Sequence, residues 1–284
     1  MYQALYRKYR PKTFSEVVGQ QHITDTLQRQ VADGRTCHAY LFTGTRGTGK
    51  TTCAKILAKA VNCEHPVNGD PCCQCPSCLG LESGSFLDVL ELDAASNGSV
   101  NDARSLREEA VYPPAVLQKR VYIIDEVHML SRDAFNALLK IMEEPPAHLL
   151  FILATTEIQK VPATILSRCQ RFNFKRILPH DMEQQLLKVA KAEAIDLTPD
   201  GADLLARMAN GALRDALSLL DQCRADGAVV DGRWDWPAAP RRCSSCACSW
   251  RVRGATLWRC WTSCTGAVRM WARCWVSSAT CAGI

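Results

Sequence analysis

Residues 44–51 read Gly-Thr-Arg-Gly-Thr-Gly-Lys-Thr, a match to G-x-x-x-x-G-K-[ST]. The apolar run "AYLFTG" (39–44) leads into it, and "KTTCAKILAKAVN", with helical spacing, leads out. A glycine-rich turn between a buried strand and a helix start admits few folds. Its backbone N–H groups curl around a phosphate, and the helix N-terminus adds its dipole. Lys50 is placed to reach β- and γ-phosphates, and the Thr51 hydroxyl to serve as a ligand for Mg²⁺. Gly44, Thr45, Arg46, Gly47, Thr48, Gly49 and Thr52 complete the expected nucleotide cradle.

Further runs of strand length follow: "FLDVLEL" (86–92), "RVYIIDE" (120–126) and "LLFILATT" (149–156). Like "AYLFTG" they are continuous rather than alternating, the mark of strands buried on both faces. Between the last two, "SRDAFNALLKIMEE" has helical spacing, with Ser131 as N-cap and Pro145 and Pro146 as the stop. The fold class is therefore α/β, a parallel sheet layered with helices.

After "RFNFKRILP" the pattern turns to helices alone. These are "HDMEQQLLKVAKAEA", "TPDGADLLARMAN" with Thr198 as N-cap and Pro199 behind it, and "GALRDALSLLDQC". In the last, Leu213, Leu217 and Leu220 share one face. The expected division is a P-loop domain over 1–178 and a small helical domain over 179–226.

"VYIIDE" ends in Asp125-Glu126. At a strand tip one carboxylate can hold a Mg²⁺ shell while the other orients water against a γ-phosphate. Paired with the glycine loop, the two acids point to hydrolysis rather than binding alone. Thr156 follows the next strand run, where it is placed to meet the γ-phosphate or its water; a loop cap reads equally well. Arg214 opens the last helix, within reach of a nucleotide or simply beside Asp215 on the surface. Arg168, in "SRCQRF", stands too far along the chain for an easy local role.

"GDPCCQCPSC" (69–78) sets Cys72, Cys73, Cys75 and Cys78 within seven positions, and Cys63 stands upstream at the expected helix end. Cys63 with Cys72-x-x-Cys75-x-x-Cys78 offers four thiolates, which suits a closed tetrahedral Zn²⁺ site of structural type. The insert is read as 63–78. A redox pair would need an exposed thiol of low pKa, and only Lys59 and His65 offer cationic help nearby. Cys73 breaks the spacing and is left over.

The net charge of +5 hides two different parts. Residues 1–231 hold 26 Lys+Arg against 28 Asp+Glu; residues 232–284 hold eight Arg, no Lys and a single acid, Asp235. All seven Trp and seven of the sixteen Cys also fall after residue 233, so the basic excess says little about what the body binds. Residues 227–284 show no sustained periodicity. A Cys/Trp-rich metal module built on Cys243, Cys246, Cys248, Cys260 and Cys264 is one reading. A shifted reading frame in a GC-rich gene accounts better for Arg, Ala, Cys and Trp without Lys. No run of eighteen apolar residues occurs and the N-terminus lacks the apolar core of a signal peptide, so a cytoplasmic protein without a membrane segment is expected.

Taken together, "LYRKYRPKTFSEVVGQ", "GTRGTGKTT", "DEVHMLS", "NALLKIMEEPP", "ATTEIQKVPATILSRCQRF" and "GALRDALSLLDQC" resemble the gamma/tau subunits of bacterial DNA polymerase III clamp loaders, which are AAA+ ATPases. The resemblance runs from residue 2 to about 223, and fails between about Arg224 and Trp234, where those proteins continue into a collar domain. It implies a P-loop AAA+ sheet with flanking helices and a zinc insert, followed by an all-α lid. It implies ATP, Mg²⁺ and structural Zn²⁺ as cofactors. By resemblance Thr156 is the first sensor, Arg214 the second, and Arg168 an arginine finger for a neighbouring subunit's ATP. Arg10, Pro11 and Val18 match the segment that packs around adenine. The intact P-loop separates the chain from delta-prime subunits.

The resemblance also implies partners: delta, delta-prime and further gamma/tau copies, the sliding clamp, and primer-template DNA gripped through phosphates. ATP binding would open the ring-shaped clamp and hydrolysis would release it closed on DNA during replication. The link to DNA-directed DNA polymerase is through the holoenzyme, since no separate pair of polymerase aspartates is evident. A branch-migration helicase shares the P-loop and acid pair but not the cysteine insert. A zinc-stabilised adaptor using ATP only as a structural ligand is the non-enzymatic rival.

Overall fold

The structure is a computed structural model; it describes residues 3–96, 106 and 108–225. Among the described residues five strands, β1 (Ala39–Gly44), β2 (Val89–Asp93), β3 (Arg120–Asp125), β4 (Leu149–Thr155) and β5 (Gln170–Phe174), form one sheet in the order β2-β3-β4-β1-β5. All four pairings are parallel, and Thr43 lies opposite Thr155 in the β1–β4 register.

The period of two along each strand divides the core between the sheet's faces. Tyr40, Phe42, Val121, Ile123, Leu150 and Ile152 turn to one side. There they meet Ile23 and Leu27 of α2 (Gln21–Ala32) and Ile56 and Leu57 of α3 (Lys50–Val61). Ala39, Leu41, Tyr122, Ile124, Phe151 and Leu153 turn to the other, against Phe135 and Leu138 of α5 (Arg132–Glu143) and Ile165 of α6 (Ala163–Leu166). Each large side chain buried this way contributes about 1.5–3 kcal/mol. Ser131 caps α5, accepting from Ala134 N at 3.2 Å.

One strand expectation needs correction, and one strand lies outside the sequence reading. "FLDVLEL" is buried on both faces only as a sequence pattern: β2 is an edge strand, begins at Val89 and is half-buried. Leu87 is 92% exposed, and the fully buried residue of that stretch is polar Asp88. The fifth strand, β5, was not expected; its alternation of buried Phe172 and Phe174 with exposed neighbours is the pattern of an edge strand.

Beyond the sheet, α7 (Pro179–Ala192), α8 (Pro199–Met208) and α9 (Leu213–Ala225) build a separate apolar cluster from Met182, Leu186, Val189, Leu205, Leu217 and Leu220. Thr198 caps α8 by accepting from Gly201 N, with Pro199 at its first position. Leu5, on the short α1 (Leu5–Lys8), is buried in the same cluster. The unusual Cys/Trp-rich stretch from 227 onward lies outside the described residues.

Candidate nucleotide and metal sites

β4 lies between β1 and β3, and all three run in one direction. The loop after β1, the acids after β3 and the threonines ending β4 therefore emerge at one edge of the sheet, where parallel α/β sheets hold their ligands. Gly47 (φ 77°) and Gly44 (φ 141°) shape that loop. A Cβ on Gly47 would stand 2.8 Å from the Ala212 side chain, just before α9, and one on Gly44 would stand 2.4 Å from Phe174 O.

Lys50 opens α3 and is buried. Its Nζ donates to Gly44 O and Thr45 O, both at 2.9 Å. Burial lowers its pKa, and the Glu126 and Asp125 carboxylates pull against that. Thr51 Oγ1 donates to Asp125 Oδ2 at 2.7 Å, so the hydroxyl and carboxylate expected to share a cation already touch. Thr48 Oγ1 donates to Thr45 O at 2.8 Å and steadies the turn.

Glu126 has φ 48° and ψ 45°, a left-handed conformation that costs a non-glycine residue about 1–2 kcal/mol. The turn is held by Glu126 N donating to Asp125 Oδ1 at 3.0 Å and by Met129 N donating to Glu126 O at 2.8 Å. It aims the Glu126 carboxylate at the end of β4, where Oε2 accepts from Thr156 N (3.2 Å) and Thr156 Oγ1 (2.9 Å). His128, its side chain 6% exposed, sits behind this pair. Its Nδ1 lies 3.0 Å from Thr155 Oγ1 and 3.4 Å from Glu126 Oε2, and its Nε2 lies 3.5 Å from Glu157 Oε1.

One cleft gathers most of the residues named from sequence. Arg46, Gly47, Thr48, Gly49, Lys50, Thr51 and Thr52 line it from the loop, Asp125 and Glu126 from β3, Arg10, Pro11 and Val18 from the N-terminal segment, and Arg214 from α9. Gly44 and Thr45 contribute their carbonyls to Lys50, and Thr156, which is not among the lining residues, touches Glu126. Arg168 is elsewhere: its guanidinium pairs with Glu143 Oε1 at 2.8 Å and donates to Thr164 O at 2.7 Å. Tyr6, Tyr9, Val17 and Ile177 also line the cleft and are not singled out from sequence, while Leu213 and Leu217, read there only as a helix face, line it too. His128 is a further residue of the site that the sequence reading does not single out; the contact that places it is with Thr155, 27 residues on.

Cys63, Cys72, Cys75 and Cys78 bring their four sulfurs within 4.8 Å of one another. Cys63 and Cys75 are 4.0 Å apart and Cys72 and Cys78 3.9 Å apart. A tetrahedron of Zn–S bonds of about 2.3 Å places its corners about 3.8 Å apart, so the donor set fits that ion. Backbone N–H groups support the sulfurs in sequence: Cys72 N to Cys63 Sγ (3.3 Å), Cys75 N to Cys72 Sγ (3.3 Å) and Cys78 N to Cys75 Sγ (3.4 Å). The last of these makes Cys75 the N-cap of α4 (Pro76–Ser83). Cys73 takes a left-handed turn (φ 56°) that sends its sulfur out of the cluster, toward Lys12 O and Pro71 O.

A glycine loop after a central parallel strand, an acid pair on a neighbouring strand and a helical lid define a P-loop nucleoside-triphosphatase fold of the AAA+ class. Solved structures of Thermotoga maritima RuvB, the Holliday junction branch migration motor, share that fold: TM-score 0.58 at 19% identity, over 79% of this chain and 70% of that one. Two family models match the chain, "DNA polymerase III, delta subunit" over residues 19–178 and "DNA polymerase III clamp loader subunit, ATPase lid domain" over 181–228. The DNA polymerase III subunit tau of Bacillus subtilis is 54% identical over 221 residues, 78% of this chain and 39% of that protein. That of Escherichia coli is 51% identical over 226 residues, 80% of this chain and 35% of that protein. The chain belongs to the DNA polymerase III clamp-loader subunit family. It spans less than two fifths of the length of these two curated relatives. No helix among the described residues is long and apolar enough to cross a membrane.

Proposed function

We propose that this chain is the ATP-binding and ATP-hydrolysing subunit of a DNA polymerase III clamp loader, which opens a sliding clamp and loads it onto primed DNA during replication in the cytoplasm. The observation that carries the reading is the join between Thr51 and Asp125, 2.7 Å apart, with Glu126 directed onto Thr156 beside it. Lys50 and the N–H groups of the loop bind the phosphates, and Thr51 with Asp125 hold the site for Mg²⁺. The bound cation screens phosphate charge. Glu126 orients the attacking water, and Thr156 sets where that carboxylate points. Arg10, Pro11 and Val18 pack around adenine, and Arg214 reads the phosphates from the lid.

Arg168, away from its own cleft, serves as a finger for a neighbouring subunit's nucleotide, which ties turnover to assembly. The four cysteines hold a structural Zn²⁺, and the ATPase and lid parts divide at about 178/179. The partners are delta, delta-prime and further gamma/tau copies, the clamp, and primer-template DNA through its phosphates. Residues from 227 onward are read as the product of a shifted frame in place of a collar.

The test is clamp loading by reconstituted complexes, comparing this chain with one carrying a relative's residues beyond 230, each with and without Lys50→Ala. Loading that needs the restored residues and Lys50 supports the reading. A Lys50→Ala chain that still binds its partners and loads clamps as well as the unsubstituted chain would make ATP a structural ligand of an adaptor.

A further inference from the structure

The Arg214 guanidinium lies over the ring of Tyr6, 5.0 Å from its centroid, and both residues line the cleft that holds Lys50 and Asp125. Tyr6 stands on α1, a helix of four residues that cannot sustain itself alone. What fixes α1 is the lid. Leu5 is fully buried there, and its N–H donates to Asp221 Oδ2 at 3.4 Å. Just beyond, Lys8 Nζ and Tyr9 OH both donate to Glu193 Oε1, on a side chain only 6% exposed. Glu193 Oε2 in turn accepts from Arg224 at 2.9 Å. Asp221 and Arg224 belong to α9, the helix that carries Arg214. Ring and guanidinium are thus registered through one helix. Arg7 also lies over the Tyr6 ring, and its Nε donates to the Tyr6 hydroxyl at 3.2 Å. Arg7 first, and Arg214 after it, lower the pKa of that phenol.

Holding an arginine by an aromatic face differs from holding it by a carboxylate. A carboxylate occupies the N–H fork and cancels the charge, whereas a ring takes the flat face and leaves edge donors and charge for an anion. Such a partner suits a guanidinium that must meet a phosphate.

We propose that Tyr6 is a positioning residue for Arg214, its ring holding the guanidinium at the cleft so that the N-terminal segment sets the preference for a nucleoside triphosphate over the diphosphate. This rests on the ATP reading given above.

The experiment is equilibrium binding of MgATP and MgADP to the purified full chain. Tyr6→Ala is expected to lower the ATP-over-ADP preference about fivefold with little change for ADP. Tyr6→Phe keeps the wild-type preference, and Tyr6→Leu, apolar but without a ring, behaves like Tyr6→Ala. Arg214→Ala lowers the preference as well, and adding Tyr6→Ala to it brings no further loss. Independent losses in the double variant, equal weakening of both nucleotides by Tyr6→Ala, or a wild-type preference in Tyr6→Leu overturns the proposal. Lys50→Ala separates the two readings: if it binds ATP normally, the ATP reading itself fails, whereas its expected loss beside an unaffected Tyr6→Ala sinks only the role of Tyr6.

Discussion

Thr156 gives both its hydroxyl (2.9 Å) and its backbone N–H (3.2 Å) to one carboxylate oxygen of Glu126. The N–H contact survives any substitution except proline, so the side chain decides only the finer aim of the acid. Thr156→Ala is expected to slow ATP turnover about tenfold in an assembled complex while leaving ATP affinity near wild type, and Thr156→Ser restores most of the rate. Glu126→Gln, which removes the carboxylate proposed to orient the attacking water, is expected to slow turnover about 10²–10⁴-fold with binding retained. Single-turnover hydrolysis beside equilibrium binding separates the two effects; a Thr156→Ala chain that turns over normally would remove the threonine from the mechanism.

Arg168 is held by Glu143 and Thr164 outside its own cleft. Arg168→Ala should therefore leave ATP affinity of the isolated chain unchanged and reduce turnover about 10³-fold only where subunits meet. The isolated chain should show little ATPase, rising with concentration. Hydrolysis by the monomer that is strong and independent of concentration counts against a shared site.

Metal content should follow the four clustered sulfurs and not Cys73. Elemental analysis is expected to give one zinc per chain, unchanged in Cys73→Ser and lost in Cys63→Ser. Loss of zinc in Cys73→Ser with retention in Cys63→Ser would reverse the assignment.

Asp88 is the acid that interrupts the apolar run before β2, its side chain 3% exposed. Burial pushes its pKa up, but three backbone donors, Ala115 N, Val116 N and Leu117 N at 2.9, 2.9 and 3.1 Å, together with Arg120, hold it below the usual 3.8. A carboxyl depressed on folding adds stability that is present above its unfolded pKa and is lost as pH falls through the folded one. That increment should thus persist above about pH 4 and disappear below it. Asp88→Asn, with one acceptor oxygen for three donors, is expected to cost about 1–3 kcal/mol at pH 7 and to flatten this acid limb. Urea unfolding from pH 7 to pH 2 measures both; equal stability at pH 7 would contradict the anchoring role.

The cradle and the sheet were legible because their signals are local. Loop spacing, the carboxylates at a strand end and three continuous apolar runs each sit in one stretch of chain, and β1, β3 and β4 are buried on both faces as those runs imply. Edge strands escaped that logic. β5 alternates, since only one of its faces is covered, and Asp88 reads as a flaw in a run until its three donors, more than twenty residues away, are seen. The thiol cluster could be read from spacing, whereas the exit of the Cys73 sulfur depends on a left-handed turn that spacing does not encode. Tyr6 and His128 were invisible for a similar reason. What gives them a place is a contact across 208 residues for the first, with Arg214, and across 27 for the second, with Thr155.

The most direct measurement is equilibrium binding of MgATP to the purified full chain, with and without Lys50→Ala. Lys50 bridges the loop carbonyls next to Asp125 and Glu126, and its removal is expected to weaken ATP binding at least about tenfold without unfolding the chain. Undiminished affinity in a folded Lys50→Ala chain would contradict the assignment of this cleft as the nucleotide site.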